Sequence, residues 1–127
     1  MSALFTPYQL GPVTRRNRTI RSAAFESRGR AFGPTEQLKE YHVAVARGGI
    51  GMTTLAYAAV SRSGLSFDKQ LWLRPAIVPG LRAITDAVPR EGAAAALQIG
   101  PRRNLTQHPT PGQIPLRAPS GFPPHAP

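Results

Sequence analysis

Residues 48–61, GGIGMTTLAYAAVS, constrain the fold of this chain more than any other stretch. An apolar run is bounded by a glycine cluster on one side and by the polar turn SRSG on the other. That is the pattern of a strand buried on both faces, and such strands belong to parallel sheets. A helical pattern precedes it, and a second helical pattern and another apolar run follow it, so the unit is βαβ.

In chain order, residues 3–17 carry turn signals at Thr6-Pro7, Gly11-Pro12 and Arg16-Asn17 around short apolar pieces, predicting a small hairpin or extended arm. Residues 18–24, RTIRSAA, predict a short strand whose later residues are small enough for another backbone or a flat ligand to approach. Residues 29–34 form a loop. Thr35 is the predicted N-cap of a first helix, with Glu36 favourable against its dipole and Leu38, Tyr41 and Val45 sharing a face. Arg47 and Gly48 close it. The central strand covers about residues 51–60, and a tip loop containing Phe67, Asp68 and Trp72 runs to about Leu73. Ile77, Leu81, Ile84 and Val88 recur at helical spacing and predict a second helix within residues 75–88. Glu91-Gly92 turns the chain into a third strand, residues 93–99. Periodicity alone leaves open whether this alternation forms an open doubly wound sheet or part of a (β/α)8 barrel.

Beyond Gly100 the pattern stops, and residues 101–127 hold eight of the fourteen prolines. They read as a proline-rich loop or disordered tail. The organisation is thus a packed unit over 1–100 followed by 101–127.

Several function classes fall away on composition. Without cysteine there is no disulfide, thiolate metal ligand or thiol nucleophile, and His42, His108 and His125 lack metal-ligand spacing. No continuous apolar segment predicts a membrane span or a secretory signal, so a cytoplasmic location is the expectation. The net charge of +10 raises nucleic acid as a partner, but the cations are scattered rather than striped, which argues against it.

The strand ends hold the candidate site residues. Ser22, Ala23, Ala24 and Phe25 end the first strand, where small side chains serve either tight packing or close approach of a ligand. Ala56 and Tyr57 lie near the end of the second, and a core tyrosine is one reading of Tyr57. Gln98 ends an otherwise apolar third strand, and its amide needs a partner, from a ligand or from the protein. Arg18 reads as structural, Glu26 and Asp68 as no acid–base pair, and Tyr41 and His42 as packing and surface residues of the first helix.

These motifs together resemble a known family. LFTPYQLGPVTRRNRTIRSAAFES is similar to the opening of the Old Yellow Enzyme family of FMN-dependent NADH:flavin oxidoreductases, with Leu10-Gly11 and Asn17-Arg18 at its L-G-x-x-x-x-x-N-R pattern. PTEQLKEYHVAVARGGIGMTTLAYAAVS resembles its first helix and second strand, LRPAIVPGLRAITDAV its second helix, and AAAALQIG its third strand. The resemblance implies an α/β fold that is part of a TIM barrel: about three β/α units preceded by a short N-terminal arm and followed by the proline-rich tail. FMN would lie across the carboxyl ends of the strands. Ser22, Ala23, Ala24 and Phe25 would then line its redox edge, Tyr57 would stand where the family has a small residue, and Gln98 would meet the pyrimidine edge. Phe25 replaces a threonine or cysteine of many members. The implied chemistry is hydride transfer from NAD(P)H through flavin N5 to a small-molecule acceptor such as an activated alkene.

A full barrel has eight strands and about 250 residues, with a phosphate site after strands seven and eight. The chain supplies three strands before its tail, and no catalytic residue is assigned. The expectation is an amino-terminal part, inactive alone, with its open edges covered by the rest of the barrel or by self-association; the alternative is a degenerate remnant without flavin. In two places where the family reads His-Ala, this chain reads Pro-Arg: Pro89-Arg90, and Pro101-Arg102 after the third strand. Paired one-base frame shifts and independent substitution both produce that change.

Overall fold

The computed structural model describes residues 2–100. An antiparallel hairpin, β1 (Tyr8–Leu10) and β2 (Val13–Arg15), comes first, turning at Gly11 with φ 55°. The guanidiniums of Arg15 and Arg18 each lie over its Tyr8 ring, at 5.0 and 4.5 Å. Then follow β3 (Ile20–Arg21), α1 (Glu36–Arg47), β4 (Met52–Ala59), β5 (Leu71–Trp72), α2 (Val78–Arg90) and β6 (Ala94–Gly100). The central strand pairs in parallel with β3, β5 and β6. The sheet and its βαβ units therefore match the barrel segment expected from the sequence.

Helix α1 forms where its signals stand. The Thr35 hydroxyl accepts a hydrogen bond from Leu38 N at 3.2 Å, and Glu36 lies in the first turn. The helix ends through two glycines: Gly48 keeps a helical φ of −67°, and Gly49, at φ 103°, makes the left-handed reversal that a side chain would resist. Its buried stripe is Leu38, His42 and Ala46 rather than the predicted Leu38, Tyr41 and Val45, which rotates the packed face by one residue.

Helix α2 also departs from expectation at its end. It continues through Pro89 to Arg90, beyond the predicted stop at Val88. A proline in the last turn removes one amide and leaves most of the helix intact, and Glu91 N and Gly92 N donate to Val88 O and Pro89 O to tighten the exit. Leu38 and Ala46 of α1, Leu55 and Ala58 of β4, Leu71 of β5 and Ile84 and Val88 of α2 form one buried cluster on the helix side of the sheet.

The amino end of the sheet is locked by polar side chains from the segment after the hairpin. The Arg16 guanidinium donates to Ile50 O at 3.0 Å, to Glu91 O at 2.9 Å and to Ala46 O, so one side chain caps the chain exits of both helices. Asn17 is buried, donates to Gly49 O at 2.7 Å and accepts from Thr19. Gly51 fits beneath it: a Cβ there would stand 2.5 Å from Asn17 Oδ1 and 2.6 Å from Asn17 O.

Two strands are shorter or more numerous than the pattern predicted. Strand β3 contains only Ile20 and Arg21 of the predicted residues 18–24, and the tip loop supplies the extra strand β5. The reading of 101–127 as loop or tail lies outside the described residues.

Candidate functional site

Because β3, β4 and β6 are parallel, their carboxyl ends lie at one end of the sheet. Ser22, Ala23, Ala24 and Phe25 leave the end of β3 there, and Ala56, Tyr57 and Gln98 reach it on β4 and β6. The structure thus brings the sequence-predicted residues to one edge of the fold.

The pairing of β4 with β6 is regular from Met52↔Ala94 to Leu55↔Leu97 and resumes at Ala58↔Ile99. Two residues of β4, Ala56 and Tyr57, therefore oppose one residue of β6, Gln98, which is a β-bulge. The extra residue shifts the helix-facing set of β4 from Thr53 and Leu55 to Ala58. On β6, Ala93, Ala95 and Leu97 pack on the helix side, so Gln98 stands on the opposite face, exposed. Its amide makes no hydrogen bond to the described residues. Donor and acceptor are thereby presented together at the strand end, the requirement for reading a planar heterocycle edge.

An aromatic cluster stands at the same end. Phe25 stacks on Phe67 with centroids 4.7 Å apart, and Tyr57 lies 5.9 Å from Phe25 and 6.3 Å from Phe67. All three are half-buried. Tyr57 is accordingly part of this cluster, not a fully buried core residue. Phe67 was legible only as an unusually large side chain in a loop.

Sequence reasoning missed a buried ionic network behind these residues. The Glu26 side chain is 3% exposed; its Oε1 accepts from Arg21 Nη1 at 2.9 Å and its Oε2 from Ala56 N at 3.1 Å. Arg21 Nη1 also donates to Thr54 O at 2.8 Å, and Arg21 Nε to the Tyr41 hydroxyl at 3.2 Å. His42, fully buried, shares a hydrogen bond between Nδ1 and Thr53 Oγ1 at 2.8 Å. Its Nε2 lies 3.3 Å from Glu26 Oε1, an ion-pair distance without hydrogen-bond geometry. Of the expectation that Tyr41 and His42 are packing and surface residues, the surface part fails for His42, which is buried and hydrogen-bonded. The only available signal was its position, four residues from both Leu38 and Ala46. Arg21 is committed to this network, whereas Arg18 packs on Tyr8, as a structural role requires.

Among the described residues no group of histidine, cysteine or carboxylate side chains could hold a metal. Nor is any described helix long and apolar enough to cross a membrane.

Comparison with known proteins identifies the fold and the family. The chain is 46% identical over 98 residues to a 4,4'-dithiodibutanoate disulfide reductase of Rhodococcus erythropolis, covering 77% of this chain and 24% of that protein. In fold it matches a 2-naphthoyl-CoA reductase with a TM-score of 0.78 at 22% identity, over 83% of this chain and 16% of the other. It matches the Old Yellow Enzyme of Pichia sp. AKU4542 with a TM-score of 0.76 at 16% identity, over 82% of this chain and 28% of the other. The chain thus spans less than a third of the length of each of these relatives. The fold is that of the amino-terminal part of their TIM barrel, and the family uses FMN as cofactor and NAD(P)H as reductant. With residues 3–110 matching the family model, the chain belongs to the NADH:flavin oxidoreductase / NADH oxidase family.

Proposed function

We propose that residues 1–100 are the amino-terminal segment of an FMN-binding barrel that acts as an NAD(P)H-dependent oxidoreductase on a small-molecule acceptor such as an activated alkene. The observation that carries this reading is the β-bulge setting Ala56 and Tyr57 opposite the exposed amide of Gln98, at the strand end that Ser22, Ala23, Ala24 and Phe25 also reach. FMN, when bound, supplies the two-electron hydride chemistry.

The chain's own residues bind and orient. Gln98 donates to and accepts from the pyrimidine edge, and the small Ser22, Ala23 and Ala24 let backbone approach the redox edge. Phe25, Tyr57 and Phe67 exclude water beside it. Catalytic proton donors and phosphate ligands fall to the remaining units of the barrel that the longer relatives contain. The cytoplasm is the proposed location.

A second reading, a remnant without flavin, draws on one observation: Phe25 and Tyr57, where the resemblance implies smaller residues, pack on each other and on Phe67. One measurement separates the two. The full-length protein carrying this segment is purified and its visible flavin absorbance recorded. Stoichiometric FMN supports the enzyme reading, and a colourless folded protein that takes up no added FMN supports the remnant.

A further inference from the structure

The ladder between β3 and β4 ends at Arg21↔Thr53, and β5 joins β4 on that side only at Ala58↔Leu71. Since Met52 N donates to Thr19 O across this side, the alternation of a parallel ladder aims the Thr54 carbonyl and the Ala56 amide the same way. Among the described residues no strand backbone stands opposite these two groups. Instead, the Arg21 guanidinium donates to Thr54 O at 2.8 Å, and the Glu26 carboxylate accepts from Ala56 N at 3.1 Å. The two side chains are joined to each other at 2.9 Å, and both are largely buried. Where the ladder opens, an ion pair replaces it.

The opening coincides with the bulge. Ala56, whose amide Glu26 holds, is a bulge residue, and its neighbour Tyr57 lies against Phe25. Glu26 is also followed by Ser27 at φ 53°, a left-handed conformation uncommon for serine, which turns the chain away directly after the carboxylate is set. A buried carboxylate with these fixed partners is far more restrictive than one in water, because each partner would be left unsatisfied if it moved.

We propose that Glu26, held by Arg21, is a positioning residue of the cofactor site: it pins the Ala56 amide and so fixes the bulge that sets Tyr57 opposite Gln98. This rests on the reading that the site takes FMN. Glu26 itself acts through the backbone of β4 and touches neither cofactor nor acceptor.

The test uses the full-length protein carrying this segment, with Glu26→Ala, the isosteric Glu26→Gln, and Val88→Ala as a control for lost stability, because Val88 is buried on the helix side. Arg21 and Ala56 N donate to different oxygens of the carboxylate, and Gln has an NH2 in place of one of them, so in this geometry it leaves one donor facing a donor. FMN affinity, the visible flavin spectrum and hydrogen exchange at the Ala56 amide are measured. Both Glu26 variants are expected to weaken FMN binding at least about tenfold, shift the flavin absorbance bands and speed Ala56 exchange. Val88→Ala should lower the melting temperature while leaving spectrum and affinity near wild type. Wild-type affinity and spectrum in a folded Glu26→Gln protein would overturn the proposal, as would the same spectral change in Val88→Ala. If Ala fails to fold, Gln decides, and failure of both to fold makes the pair architectural and also overturns it. A folded wild-type protein that binds no FMN refutes the cofactor reading instead, a result visible before any variant is made.

Discussion

Replacing Arg16 by alanine probes how the amino end of the sheet is locked. Three backbone carbonyls, of Ala46, Ile50 and Glu91, lose their guanidinium donor at once. Hydrogen bonds from a charged donor contribute up to about 3 kcal/mol each, but Arg16 is only partly buried and water can reach the freed carbonyls, so about 1 kcal/mol each is the better figure. The sum, about 3 kcal/mol, corresponds to about a hundredfold change in a local opening equilibrium. Native-state hydrogen exchange on the full-length protein should therefore show faster exchange in the last turns of both α1 and α2, because one side chain serves both exits. Arg16→Lys should recover part of the loss, since an ammonium cannot reproduce the planar fork. Wild-type protection at both helix ends in Arg16→Ala would refute the reasoning, and loss at only one end would show that the clamp is not shared.

Gly51→Ala should cost at least about 2 kcal/mol or abolish soluble expression, because its Cβ would overlap Asn17; a melting temperature equal to wild type would contradict the close approach. Gln98→Leu should weaken FMN binding by about tenfold or more without changing the far-ultraviolet circular dichroism, and unchanged flavin affinity would remove Gln98 from the site. The 127-residue chain alone should associate or melt without cooperativity, since the outer edges of β3 and β6 lack partners among the described residues and Ile20 and Ile99 are exposed. A cooperative monomer carrying stoichiometric FMN in calorimetry and sedimentation would refute that. Resequencing the gene should decide the two Pro-Arg sites: His-Ala codons at both would establish frame errors, and Pro-Arg codons would establish substitution.

The sequence by itself determined the βαβ order, the start of α1 at Thr35, the presence of an amino-terminal arm and the family, because caps, periodicities and turn residues act over a few neighbouring positions; that the arm is a hairpin came from the structure. It also identified the strand ends at which Gln98 and the residues from Ser22 to Phe25 stand, since parallel strands share a direction. It did not determine the packed face of α1, where His42 displaced Tyr41: adjacent helical positions differ by about 100° and only the opposing Thr53 and Glu26 select between them. The bulge at Ala56 and Tyr57 was equally hidden, because an extra residue in one strand is defined only by its partner strand. The Arg21–Glu26 pair was missed for the same reason. Its charges are tolerated in the interior because Thr54 O and Ala56 N, more than twenty residues away in sequence, have no strand to pair with among the described residues, and only the tertiary structure sets those groups side by side.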